Sequence, residues 1–180
     1  MRNLILAAVI MASLSACSTM TPARYSPSAD NQVALRSISD GAAHVVQIAS
    51  SADYSASCRM AGPIQASDGM TIPQFVQKAI NDELKMAGIY SEQRNPLSGE
   101  ITKIAFSSTA GLTNGWWNIA LTLKGSSGQS VSAEVTYNFK SGFDAMTACN
   151  QTAQALGPAA QDLIKQLVSD PRFADLIRSN

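Results

Sequence analysis

Charge is scarce in this 180-residue chain: 14% of the side chains are charged, and thirteen basic residues balance thirteen acidic ones. Without a basic excess there is no electrostatic footprint for nucleic acid. A single histidine, His44, leaves little room for a histidine metal cluster and gives a nucleophile no ready base. Serines are frequent, but no G-x-S-x-G elbow surrounds any of them. Gly111 to Gly115 has the wrong spacing for a phosphate loop, with no helix after it. Asp82 and Glu83 are adjacent helix positions that point in different directions, and Glu134 stands alone on its strand. The sequence therefore predicts no catalytic residue, no metal site and no cofactor, and a protein that is not an enzyme. Low net charge beside 46% hydrophobic residues excludes disorder, and the length suits one domain with a real core.

The first sixteen residues read as an address. Arg2 is followed by an apolar run from Leu4 to Met11, too short to span a bilayer, and then by small residues. Leu14-Ser15-Ala16-Cys17 resembles the bacterial lipobox, in which a lipoprotein signal peptidase cuts before a lipid-modified cysteine. Small Ser15 and Ala16 suit entry of the backbone into the protease, and the Cys17 thiol is the group that lipid alkylates. Ser18 follows, and by resemblance to Gram-negative lipoproteins the absence of aspartate there implies export to the outer membrane. Firm anchoring needs more than one acyl chain, which a mature lipoprotein amino terminus supplies.

Two further cysteines, Cys58 and Cys149, form an even pair. In an oxidising periplasm they are most simply one structural disulfide, which by chain entropy contributes roughly 4–5 kcal/mol. After Cys17, residues 17–31 hold prolines and many small polar residues without an apolar period, and read as a lipidated amino terminus and flexible tether. Residues 32–180 make a single periplasmic domain.

Within that domain Gln32 to Arg36 suits a helical turn, and Ala43 to Ala49 is a compact β-branched strand. Ser50 to Met70 is a long loop with a short edge strand near Pro63–Gln65, fastened by the disulfide. Thr71 caps a helix in which Ile72, Val76, Ile80 and Leu84 recur every four residues before Gly88 stops it. Three strands follow, over 97–107, 117–124 and 131–139, the last two alternating apolar and polar residues across a Gly125–Gly128 turn. From Asp144, Met146, Cys149, Ala153, Leu156, Ala160, Leu163 and Leu167 form one helical stripe, with a kink expected at Pro158 and a short helix after Pro171. The order strand-helix-strand-strand-strand-helix, with one apolar face on each element, predicts an α+β two-layer sandwich: a mainly antiparallel sheet with two main helices on one face.

With only 6% aromatic residues, the adjacent Trp116 and Trp117 are the local feature with functional weight. Alternation sends Trp117 into the core and Trp116 to the opposite, polar face with Asn118, Thr122, Ser132, Thr136 and Asn138. An exposed indole supplies large apolar area at little entropic cost. Trp116, Asn118 and Leu112 of the neighbouring 107–115 loop are therefore the candidate partner-binding residues.

Ser57-Cys58-Arg59, Ala61-Gly62-Pro63-Ile64, Phe106-Ser107-Ser108 and Ala148-Cys149-Asn150 together resemble a group of proteobacterial lipoproteins without an assigned activity. The order of elements is similar, in architecture only, to the lipopolysaccharide-assembly lipoprotein. The expected function is a non-enzymatic binding or assembly module, lipid-anchored in the outer membrane on its periplasmic face. It would meet the membrane through Cys17 and an envelope protein through its sheet. A periplasmic enzyme with an unrecognised site and an accessory subunit of a transport system are the alternatives.

Overall fold

The structure, a computed structural model, describes residues 20–178. Cys17 lies outside them. Strands β1 (His44–Ser50), β2 (Pro96–Ala110), β3 (Asn114–Gly125) and β4 (Ser130–Lys140) form one open sheet in the order β1-β2-β3-β4. The pairs β2–β3 and β3–β4 are antiparallel, whereas β1 runs parallel to β2. Adjacent parallel strands need a crossover, and helix α2 (Ile72–Ala87) provides it. With α1 (Ala29–Arg36), α3 (Ala145–Ser169) and α4 (Pro171–Ile177), the chain is the expected α+β fold, with helices packing on the sheet.

Local chemistry accounts for the helix ends. Thr71 and Gln74 form a reciprocal capping box on α2, and Gly88 takes the left-handed φ of 80° that closes it. Asp144 accepts from the Thr147 amide to cap α3. Pro158 sits inside α3 without interrupting the helical run. Buried Leu156, Ala159, Ala160 and Leu163 on either side of it hold the helix against the sheet. Met146 departs from the expected stripe: it lies in the first turn, before the helix reaches the core, and is 45% exposed.

Alternation in β3 and β4 buries Trp117, Ile119, Leu121, Leu123, Val131, Ala133 and Val135 beneath the helices. In β2 the pairing slips between Ile101 and Lys103, and the buried positions pass from Leu97 and Ile101 to Ile104. A second slip follows between Ser107 and Ala110, near the hairpin tip. Trp117 is fully buried, its indole N–H donating to the Thr152 carbonyl of α3 at 2.9 Å and its ring 4.9 Å from that of Phe106.

The long loop is fastened as expected. Cys58 and Cys149 form a disulfide with Cα atoms 5.8 Å apart. Around it, the Cys58 amide donates to the Gly62 carbonyl and the Ile64 amide to that of Ala56, so the proposed edge strand reduces to a bridge between Ser57 and Pro63.

One expectation is corrected. Residues 20–31 are not a free tether but a strap lying along the domain. Thr21 meets Asn150, Arg24 pairs with Asp68, and Gln161 donates to the Ser26 carbonyl. Tyr25 packs edge-on against Phe75, and α1 lies against both α2 and α3. The reason is a buried carboxylate. Glu83 of α2 is 1% exposed, and a carboxylate cannot be buried without hydrogen bonds. The strap supplies them: the Tyr25 hydroxyl at 2.6 Å, the Ser28 amide at 2.8 Å, the Asn31 amide at 3.1 Å and the Gln32 amide. Burial, followed by the hydrogen bond to Glu83, pushes the Tyr25 hydroxyl above the ordinary tyrosine range. The composition of 18–31 conceals this, because polar side chains that look solvated are donors to a charge elsewhere in the sequence.

Two outcomes follow from these contacts. Cys149→Ser should lower Tm by on the order of 10 °C, since a bridge of this loop length contributes roughly 4–5 kcal/mol and a domain this size shifts about 2–4 °C per kcal/mol; an unchanged Tm would refute the role of the bridge. Glu83→Ala strands several buried donors and should cost at least about 3 kcal/mol in urea denaturation. Trypsin should then cut after Arg24 faster than in the parent chain, as the strap lifts.

Candidate functional site

All helices pack on one face of the sheet, which leaves the other face uncovered among the described residues. On that outer face, Lys103 and Ala105 of β2, Trp116 and Asn118 of β3, and Thr136 and Asn138 of β4 line a shallow depression of 310 Å³. Strand register brings them together: Trp116 lies between Ser107 and Asn138, and Asn118 between Ala105 and Thr136. Lys103 and Ala105 reach the outer face because of the β2 bulge, which the sequence pattern did not reveal.

The depression has an apolar wall and a polar floor. Trp116 is half-buried, its neighbour Trp117 being wholly in the core, as alternation requires. Asn118 is 8% exposed, and its Nδ2 donates to Glu134 at 3.1 Å, to the Val135 carbonyl at 3.2 Å and to the Thr136 hydroxyl at 2.9 Å. Its Oδ1 is buried and carries no hydrogen bond, which is an uncommon state for an amide oxygen. Lys103 pairs with Glu134 at 2.7 Å. The hydrogen bond from Lys103, then that from Asn118, holds the Glu134 carboxyl below its usual range. The site therefore offers an indole surface and an ion pair.

Of the three residues singled out from sequence, the structure unites Trp116 and Asn118 and leaves Leu112 apart. Leu112 is at the tip of the β2–β3 hairpin, 71% exposed, and does not line the depression. His44 is half-buried, with Nδ1 donating to the Ser91 carbonyl at 2.9 Å and the ring edge-on to Tyr90. Glu83 was missed as a buried group, yet the strap occupies its carboxylate. A second depression, of 560 Å³, follows the solvated back of α2, where Lys78 pairs with Asp82. Among the described residues no group of three or more His, Cys, Asp or Glu is placed to hold a metal ion, and no helix is long and apolar enough to cross a membrane.

Comparison with known proteins bears on the fold. No family model matches the sequence, and no curated protein aligns with it significantly. A solved structure of a protein from Xanthomonas campestris, carrying the family model DUF330, superposes with a TM-score of 0.50 at 16% identity. The match covers 80% of this chain and 91% of that one. At this identity the likeness is one of fold, and it extends over nearly the whole domain described here.

Proposed function

We propose that this chain is a lipid-anchored outer-membrane protein whose domain faces the periplasm and acts as a non-enzymatic binding or assembly module of the envelope. The observation that carries the binding role is the sheet face left uncovered among the described residues, where half-buried Trp116 lines a depression with Asn118, Thr136 and Asn138. A single indole flanked by polar side chains and the Lys103–Glu134 pair suits a partner that lays an extended segment with an apolar or aromatic side chain across the strands. The anchor rests on Leu14-Ser15-Ala16-Cys17 and the compartment on the disulfide, since such bridges persist in oxidising surroundings.

The anchor is tested by metabolic labelling with fatty acid. Labelled wild type and an unlabelled, unprocessed Cys17→Ser precursor are expected; wild type that is processed but carries no label defeats the assignment.

The binding face is tested by a pair of neighbours. Trp116→Ala should leave thermal stability within about 0.5 kcal/mol of the parent and weaken capture of a crosslinked envelope partner by at least about 2 kcal/mol. Trp117→Ala should instead cost roughly 3–5 kcal/mol of folding. Equal destabilisation by the two substitutions would make both indoles structural and remove the site.

A further inference from the structure

Four large apolar side chains are held in solvent at one end of the domain: Met60 is 98% exposed, Phe143 78%, Leu112 71% and Met146 45%. They come from three segments far apart in sequence, and the fold ties those segments together. Arg59, next to Met60, donates to the Ser108 carbonyl at 2.9 Å and to the Phe143 carbonyl at 3.0 Å. Ser141 donates through its hydroxyl to the Ser108 carbonyl at 2.7 Å and through its amide to that of Thr113 at 2.8 Å. The disulfide joins the Met60 segment to the first turns of α3, where Met146 lies. Leu112 is held at a φ of 73°, a conformation that leucine rarely adopts. Little free charge interrupts the group. Arg59 is engaged by carbonyls, Lys140 donates to Asn114, and Asp144 accepts from the Thr147 amide.

The amino terminus of the described chain emerges at this same end. The Thr21 amide donates to Oδ1 of Asn150, the residue after Cys149, at 3.0 Å, and Met20 packs against the core. Only two residues separate Met20 from Cys17. Fully extended, that stretch spans about 10 Å. A lipid on Cys17 therefore cannot enter a bilayer without bringing this end of the domain to its surface.

We infer that the end formed by Met60, Leu112, Phe143 and Met146 rests on the lipid bilayer that holds Cys17, with the four side chains seated at the boundary between headgroups and acyl chains. This rests on the lipoprotein reading above and adds to it an orientation. The strap, packed on Glu83, leaves no slack for the domain to swing away. The outer sheet face with Trp116 then stands beside the membrane and runs away from it.

The test uses the mature lipidated protein in phosphatidylcholine vesicles. Leu112→Cys and Val33→Cys are each labelled with an environment-sensitive fluorophore; Cys58 and Cys149 are oxidised and Cys17 is blocked by lipid. Val33 is a matched control, equally exposed but on α1, whose Asp30 pairs with Lys165, roughly 20 Å along α3 from Asn150. Intact mass reports the lipid independently. The expected result is a blue-shifted label at position 112, quenched several-fold more by spin-labelled lipid than the label at 33. In a Phe143→Ser, Met60→Ser background the quenching at 112 should fall toward that of the control. Lipidated protein with equal, weak quenching at both positions overturns the docked end while leaving the anchor intact. A blue shift at 112 without lipid quenching means that a second copy or another protein covers the end, which also overturns it. A mass without lipid removes the anchor and the inference together.

Discussion

Burial of a single face of the sheet is the constraint on which the remaining features depend. The crossover α2 and the long α3 return to the same side, and the apolar residues of β1 to β4 that face them form one continuous core. Trp117 is the largest fully buried side chain in it. Its indole N–H joins sheet to helix at Thr152, so that even the polar atom of the core's bulkiest residue is satisfied across the layer boundary. Once both helices lie on one side, the other face of the strands has no cover among the described residues. That uncovered face is where Trp116 and Asn118 meet.

Glu83 of α2 is buried where α1 lies against both α2 and α3. A buried carboxylate must be matched by donors, and neither helix provides them. The strap of residues 20–28 and the start of α1 meet the need, so an electrostatic requirement in the middle of the chain decides the path of its beginning. Polar residues near the amino terminus thereby become part of the domain's interior, and the exit point of the chain is fixed beside Asn150.

The exit point of the described chain lies at the end of the domain where three segments converge. The disulfide and Arg59 draw the Met60 loop, the β2–β3 hairpin and the β4–α3 connection into one cluster at the exit point. Three irregular segments clamped in this way present apolar side chains at little further entropic cost, because their backbones are already held. The outer sheet face and the apolar end share the β2–β3 hairpin: Leu112 is at its tip and Trp116 a few residues up one strand. A ligand on the sheet and a surface at the tip would accordingly act on one rigid element.

Much of the fold was legible in the sequence, because its elements depend on local chemistry. The capping box at Thr71, the αL glycine at 88 and the period-two runs in β3 and β4 are properties of neighbouring residues, and each appeared where the pattern placed it. The two remaining cysteines allowed only one bridge, and the opposite destinations of Trp116 and Trp117 followed from the pleat. Contacts between distant segments were decided by tertiary structure alone. The β2 bulge that turns Lys103 and Ala105 toward Trp116 depends on pairing with β3; the exposure of Met146 depends on where the sheet ends beneath α3. The conversion of a supposed tether into a strap depends on Glu83, which lies more than fifty residues away from its donors. Sequence alone determined which residues can be buried and with what period, since those are local properties of side chains and backbone. Which buried charge found which donor, and which apolar residue was left outside, became fixed only when the folded chain brought distant groups within a few ångströms of one another.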